Sequence, residues 1–300
     1  MKIGILTRVP GYTTGRLKHE ARIRGHEAVN IKFPECYIEL ESDNPTTHYR
    51  GEELNDFDVI IPRIMPDMSQ YGTTVLRQFE MMGVYTPLRS IAITRARDKL
   101  RATQLLSKSH IGIPKTIFAS ETSDVDDLIA QIGGAPLIVK LANGTQGNGV
   151  VLAETNKAAK SVIQAFYVTN TPILIQEFIA ESAGTDIRAF VVGNRVVASM
   201  KRQSLDDDFR SNIHQGGSGS IIKLTDEEKS VAVKAAKAMG LPICGVDLMR
   251  TNRGPMVLEV NPTPGLEGIE TVTGRNVAGK IIEYVEHNAS RKNSKDKIGA

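Results

Sequence analysis

Short apolar runs alternate with polar, helix-spaced stretches through the first third of the chain. Lys2 to Leu6 is apolar and β-branched, the pattern of a buried strand. Thr14 to Arg24 has the composition of a polar helix, and Ala28 to Ile31 is a second apolar run. Asp58-Val59-Ile60-Ile61 is a third, which Pro62 is expected to end because proline offers no N–H to a sheet. Tyr71 to Met82 is spaced as a helix. Strand, helix, strand predicts a βαβ unit with a parallel sheet. Between these elements, Pro34 to Leu54 is polar and irregular and reads as a long loop.

Ser90 stands as an N-cap before a strongly charged helical stretch that runs to Ser109, where Ile111-Gly112-Ile113-Pro114 stops it. Lys115 to Ala119, Leu137 to Leu141, Val150 to Leu152 and Ile173 to Gln176 read as strands, and Ser123 to Ile132 and Asn156 to Val168 as helices. A glycine-rich turn, Asn143 to Gly149, joins two of these strands into a hairpin. Antiparallel signals dominate the last third. Asp186 to Val192 and Arg195 to Met200 flank a Gly193-Asn194 turn, and Ile243 to Arg250 and Pro255 to Val260 flank Asn252-Arg253-Gly254. Between the hairpins, Thr225 with Glu228 makes a capping box for a helix to Met239. Val277 to His287 is a closing helix, and the chain from Asn288 is polar.

Composition narrows the class. The 300 residues are 41% hydrophobic and 24% charged, which excludes a disordered or collagen-like chain. No apolar stretch approaches the ~18 residues of a membrane-crossing helix, and the start is too short an apolar run for a signal peptide, so the cytosol is the expected compartment. Cys36 and Cys244 form neither a zinc framework nor a disulfide scaffold. The net charge of +3 lies in the tail, where Arg291, Lys292, Lys295 and Lys297 face Asp296 alone. The balanced body gives no reason to expect nucleic acid or membrane partners.

Several chemistries are excluded by absence. The chain has no P-loop, no GxGxxG after the first strand, no HExxH and no GxSxG. What it has is Asp247 in an apolar strand and Glu259 in the next. With a turn centred on Arg253 the two fall opposite each other, and Asn261 shares the face of Glu259. Like charges so placed repel, and a hard divalent cation relieves them. The alternative is two edge carboxylates facing solvent. A second feature is Lys140, running into a loop with Gly144, Gln146 and Gly147. Successive N–H groups in such a loop cradle phosphate, although a glycine-rich hairpin tip also serves as a plain turn. A third comprises Asp186, Arg188, Arg202 and the run Arg210-Ser211-Asn212, where arginine forks suit carboxylate or acyl-phosphate oxygens. Lys99, in a charged helix beside Arg95 and Arg97, is ambiguous by itself.

In this order the residues resemble the ATP-grasp superfamily: Lys99, Lys140 with Gly144 to Gly149, Gln176-Glu177-Phe178-Ile179, Asp247, and Glu259-Val260-Asn261. The resemblance is closer still to its branch of RimK alpha-L-glutamate ligases, which modify a small-subunit ribosomal protein. Arg95 to Lys99, Gly144-Thr145-Gln146-Gly147, Phe209 to Asn212, and Asn261 to Glu270 carry it, with Pro62-Arg63, His48-Tyr49 and Gly51 in the first third. Asp207 and Gln215 depart from the pattern, standing where glycine and arginine are common.

The resemblance implies an α/β (α+β) chain with the ATP-grasp fold. A Rossmann-like βαβ unit over 1–88 precedes two α+β domains, 89–177 and 178–290, that clasp ATP, and a basic tail follows over 291–300. It implies that Lys99, Lys140, Gly144, Gln146 and Gly147 hold the phosphates of ATP. The backbone of Glu177 and Phe178 would meet the adenine, and Glu177 or Asp186 the ribose. Asp247, Glu259 and Asn261 would hold two Mg²⁺ or Mn²⁺ ions. Arg188, Arg202, Arg210, Ser211 and Asn212 would steady an acyl phosphate, which the amine of L-glutamate opens to an amide. The expected partners are ATP, L-glutamate and a ribosomal protein acceptor, with free glutamate chains as a further acceptor and a homo-oligomer by analogy. Competing readings are the same ligase chemistry on a pterin, deazaflavin or amino-acid carrier-protein acceptor, and a non-catalytic ATP-binding regulatory protein.

Overall fold

A computed structural model describes residues 1–42, 44–120, 124–141, 149–168, 172–204 and 218–289. The glycine-rich residues Gly144, Gln146 and Gly147, the run Arg210-Ser211-Asn212, Asp207, Gln215 and the basic tail therefore lie outside the described residues.

The chain starts as the apolar rhythm predicts. Strand β1 (Lys2–Thr7), helix α1 (Tyr12–Ile23) and strand β2 (Glu27–Lys32) form the first unit. The polar stretch that reads as a loop instead folds into a small antiparallel sheet of β3 (Cys36–Glu39), β4 (Thr46–Tyr49) and β5 (Glu52–Glu53). Its strands are short, and β4 buries the polar residues Thr46 and Thr47, so no sustained apolar alternation marks them. Strand β6 (Val59–Arg63) returns beside β1, giving the parallel order β2-β1-β6. Pro62 sits inside β6 rather than ending it. Ile60 donates its N–H outward to the Tyr85 carbonyl, so Pro62, two residues on, turns its missing N–H to the same outer edge.

Helix α2 (Ser69–Met81) covers this sheet. The charged stretch that follows is two helices, α3 (Ser90–Arg97) and α4 (Lys99–Lys108). Asp98 divides them by capping the second: its carboxylate accepts the Arg101 N–H at 2.9 Å. Ser90 is a first-turn residue whose N–H and hydroxyl both donate to Glu80.

Next comes an antiparallel sheet of β7 (Thr116–Ala119), β8 (Leu137–Leu141), β9 (Val150–Ala153) and β10 (Ile173–Glu177), in the order β7-β10-β8-β9. Helices α5 (Val125–Ile132) and α6 (Asn156–Tyr167) cover one face. Val139, Ile173, Ile175 and Leu137 meet Ile129, Ile132 and Ile163 there in a core of their own.

The last third is a larger antiparallel sheet. Strands β11 (Thr185–Val192), β12 (Arg195–Gln203), β13 (Ser218–Ile221), β14 (Ile243–Thr251) and β15 (Gly254–Asn261) run in the order β13-β12-β11-β14-β15 among the described residues. Helix α7 (Asp226–Met239), with the predicted Thr225–Glu228 capping box, packs on it. Helices α8 (Glu267–Thr273) and α9 (Val277–Asn288) complete the chain. The first and last sheets share one continuous apolar core with α1, α2, α7 and α9. No described helix is long and apolar enough to cross a membrane.

Candidate functional site

One face of the last sheet carries a ladder of alternating charge. Asp186 on β11 is directly opposite Arg202 on β12, and Arg188, two residues along β11, is opposite Asp247 on β14. Arg202 grips Asp186 with both fork nitrogens, Nε at 2.6 Å and Nη2 at 2.5 Å, and the same Nη2 reaches Asp247 Oδ2 at 2.7 Å. Arg188 grips Asp247 in turn, Nε to Oδ1 at 2.7 Å and Nη2 to Oδ2 at 2.6 Å. Burial alone would raise the Asp247 carboxyl, but the two guanidiniums outweigh it and hold the acid below its ordinary range. Burial likewise opposes the charge of Arg202, and Asp247 and Asp186 reverse it, raising that group well above the usual arginine range.

Glu259 on β15 is opposite Asp247, as the sequence predicts, although the hairpin reaches that pairing differently. Its turn is two residues, Asn252-Arg253, with Thr251 opposite Gly254. The register then slips at Leu258, so that Leu248 pairs with Val257 but Asp247 with Glu259. This bulge puts both carboxylates on one face; without it Glu259 would point to the other side. The Glu259 side chain keeps 61% of its surface open, against 4% for Asp247. Protein surroundings and the Asp247 charge nevertheless push its acid upward, against the pull of Arg188, Arg202 and Lys140. Asn261, on the same face, accepts the Thr263 N–H through Oδ1 at 2.9 Å.

Gly245 makes room for this arrangement. A Cβ there would lie 3.1 Å from Pro264 Cβ, a tight contact, and 3.4 Å from Arg188 Nε, so the missing side chain leaves space between Pro264 and the arginine that crosses β14. Sequence reading gave this residue no role.

Lysines complete the site. Lys140 on β8 donates to Gln176 Oε1 at 2.6 Å, and Gln176 donates on to Thr116 Oγ1 at 2.9 Å. This polar strip lies on the sheet face away from α5 and α6. Gln176 is neutral and leaves the ammonium charge uncancelled. Burial, and more weakly Lys99, pull Lys140 down to about 8 despite the attraction of Glu259. Lys99, at the start of α4, donates to the Leu141 carbonyl at 3.1 Å, and burial lowers it while Glu259 partly restores it. Both lysines thus feel Glu259 from across the cleft between the two sheets.

Glu177 ends β10, and its carboxylate accepts the Lys115 N–H at 2.6 Å and Arg253 Nη2 at 2.7 Å. Phe178 follows, half-buried. Asp186 belongs to the ladder, so both predicted ribose contacts already hold protein partners.

The structure therefore brings together Asp186, Arg188, Arg202, Asp247, Glu259 and Asn261 on one face, with Lys99 and Lys140 facing them. The donors of Asp247, Glu259 and Asn261 are hard oxygens, the set that suits Mg²⁺ or Mn²⁺. Arg188 and Arg202 occupy about three of the roughly four lone-pair sites of Asp247, leaving one on Oδ1. The raised Glu259 acid is the sign of a carboxylate that a cation would relieve.

Comparison with known proteins bears on this arrangement. The RimK PreATP-grasp domain matches residues 1–93, and the RimK-like ATP-grasp domain matches residues 96–285. A "Probable alpha-L-glutamate ligase" of Aliivibrio fischeri is 56% identical over 296 residues, 98% of each chain. Its counterpart in Vibrio cholerae serotype O1 is 55% identical over the same share. The ATP-grasp ligase PsnB, solved with a phosphomimetic variant of a minimal precursor, Mg and ADP, shares the fold with a TM-score of 0.75 at 19% identity, covering 96% of this chain and 98% of that one.

Proposed function

The chain belongs to the RimK-like ATP-grasp family and is an ATP-dependent ligase, and we propose that it joins L-glutamate to the C-terminal carboxylate of a protein acceptor. The observation that carries this reading is the facing of two charge patterns. A guanidinium–carboxylate ladder ending at Glu259 stands opposite two lysines, Lys140, which donates to the neutral side chain of Gln176, and Lys99, which donates to the Leu141 carbonyl.

Lys99 and Lys140 hold the ATP phosphates as point charges, and Gly144, Gln146 and Gly147, outside the described residues, would add backbone N–H donors to them. The backbone around Glu177 and Phe178 lies against the adenine. Asp247 Oδ1, Glu259 and Asn261 would hold Mg²⁺ or Mn²⁺, one ion or two, and a bound cation would supply positive charge to offset that of the phosphates. The acceptor carboxylate oxygen bonds to the γ-phosphorus as the bond to ADP breaks. The glutamate amine then bonds to the acyl carbon, phosphate leaves, and the nitrogen sheds a proton to water. Arg188 and Arg202, fixed by Asp247 and Asp186, present rigid N–H donors to the oxygens that gain charge. Arg210, Ser211 and Asn212, outside the described residues, would add donors for the same oxygens. Nothing in these steps needs a covalent enzyme intermediate.

The branch motifs support a small-subunit ribosomal protein as acceptor, free glutamate chains as a second one, a cytosolic location, a homo-oligomer and a three-domain division near residues 88 and 177. Mass spectrometry tests the reading. Ribosomes and free glutamate are each incubated with the protein, ATP, Mg²⁺ and L-glutamate. ADP and phosphate should form together with glutamate-residue increments on one ribosomal protein. ATP hydrolysis with no new amide would overturn the ligase assignment to glutamate.

A further inference from the structure

Arg63 and Arg97 are two half-buried guanidiniums close enough to repel each other, and among the described residues neither is paired with a carboxylate. Arg63 is the last residue of β6, at the carboxyl end of the parallel sheet, where open α/β sheets bind their ligands. Its Nη2 donates to the carbonyls of Thr263 at 3.0 Å and Pro264 at 2.7 Å, in the loop that follows Asn261. Arg97, two residues before Lys99, donates from Nη1 to Ser69 Oγ at 2.5 Å, and from Nη2 to the Ile64 carbonyl and to Thr263 Oγ1 at 3.4 Å. Every one of these acceptors is neutral. They fix the direction of each fork without cancelling its charge. Arg63 keeps Nε and Nη1, and Arg97 keeps Nε, with no hydrogen bond to any described residue, and none of the three is sealed from water.

A cation removed from water without a counter-charge is costly. Burial and then the neighbouring Arg97 pull Arg63 down to about 10, and burial pulls Arg97 to about 10 with only partial help from Asp67. Both therefore stay charged at neutral pH. Asp67 itself is engaged by Arg8. The remaining deficit is of negative charge, beside the loop that follows Asn261.

We propose that Arg63 and Arg97 form a carboxylate-binding pocket for the incoming amino acid. This rests on the ligase reading above. The acceptor carboxylate loses its charge when it becomes an acyl phosphate, whereas the carboxylates of the incoming glutamate persist through both steps and give a paired arginine site a lasting partner. Arginine forks suit the planar, two-oxygen carboxylate, while the phosphates have the two lysines. A pocket for the side-chain carboxylate would select glutamate over glutamine; one for the α-carboxylate would not.

The test uses the whole chain with Arg63→Gln and Arg63→Lys. L-glutamate binding is measured by calorimetry with a non-hydrolysable ATP analogue and Mg²⁺ present, alongside steady-state ligation. The pocket predicts a loss of about tenfold or more in glutamate affinity for Arg63→Gln, a similar rise in KM for glutamate, and partial recovery in Arg63→Lys, with the affinity for the ATP analogue unchanged. That unchanged affinity also reports an intact fold. L-glutamine and glutamate α-amide separate the two carboxylates: the one that Arg63 reads is the one whose amide is indifferent to the substitution. Unchanged glutamate affinity, or a loss confined to the ATP analogue, overturns the proposal. If the wild type ligates no glutamate, the ligase reading fails, yet a glutamate affinity that depends on Arg63 would still establish the pocket.

Discussion

Asp247 and Glu259 face each other across one pair of strands and hold their charges by different means. Asp247 has two arginines, whereas Glu259 has only a distant one, with Arg188 Nη2 at 4.0 Å. Replacing Glu259 by Gln keeps its shape and removes the charge. Glutamate-dependent ADP release should then fall by more than the roughly 10–100-fold typical of losing an outer-shell partner, with an unchanged melting temperature. A variant that keeps normal turnover would remove Glu259 from the metal set. Lys140 supplies a pH signature. Its charge binds phosphate only while protonated, and its acid lies at about 8, so kcat/KM for ATP should decline as pH rises through that value. Lys140→Arg should carry the decline to higher pH, which a pH profile at saturating glutamate reads directly. The opposition of 247 and 259 was predicted from a turn centred on Arg253, whereas the two-residue turn alone would set Asp247 against Leu258 and the bulge restores the pairing, so the hairpin was legible and the bulge was not. The pairing of Asp186 with Arg202 and of Arg188 with Asp247 was not legible. The second pair depends on β11 lying beside β14, strands separated by helix α7, and no local pattern encodes that choice.

At the scale of elements, the site depends on a register shift between Phe190 and Val191, which brings Arg202 opposite Asp186, and on two features nearer Asp247. The Leu258 bulge turns Glu259 to the face of Asp247, and Leu258 packs against the cluster of Ile179, Met249 and Met256. Gly245 supplies the second, a gap in the side-chain layer that Arg188 fills. Gly245→Ala should leave the sheet folded but press Pro264 back by a few tenths of an ångström and crowd the side chain of Arg188. Because Arg188 aims Asp247, turnover should drop roughly ten- to a hundredfold while circular dichroism stays native. Unaltered kinetics would show that Arg188 does not need that space. Elements with strong apolar runs were readable at this scale, and those without them were not. Ser218–Ile221 forms a strand although Ser-Gly-Ser is not apolar, and Glu267–Thr273 forms a single short helix just beyond a Pro-Gly pair. Asp98 splits a helix because capping competes with continuation, a contest that charge density along the stretch conceals.

Across the whole molecule, the core divides unevenly. The first and last sheets share one apolar core, while the sheet bearing Lys140 has its own beneath α5 and α6. The Lys140 sheet therefore packs its apolar side chains apart from the opposite wall of the site, and that wall depends on the join between the first and last sheets. Polar clasps strengthen that seam. Arg16 on α1 donates Nε to Glu270 on α8 at 2.9 Å and Nη2 to Asn276 at 3.0 Å. Tyr12 adds a 3.2 Å hydrogen bond to Glu270, and Arg24 and His26 reach Glu286 on α9, each at 2.8 Å. Glu270 keeps only 5% of its side-chain surface. Arg16→Ala would strand that carboxylate with only the Tyr12 hydroxyl and the Ala278 N–H, and breaking a buried pair in this way costs about 3–5 kcal/mol. Adding Glu270→Gln removes the stranded charge, so the double variant should melt higher than Arg16→Ala alone. Thermal denaturation of the four members of that cycle measures the coupling. If the losses simply add, the clasp is a surface ornament, and the shared apolar core alone holds that wall of the cleft together.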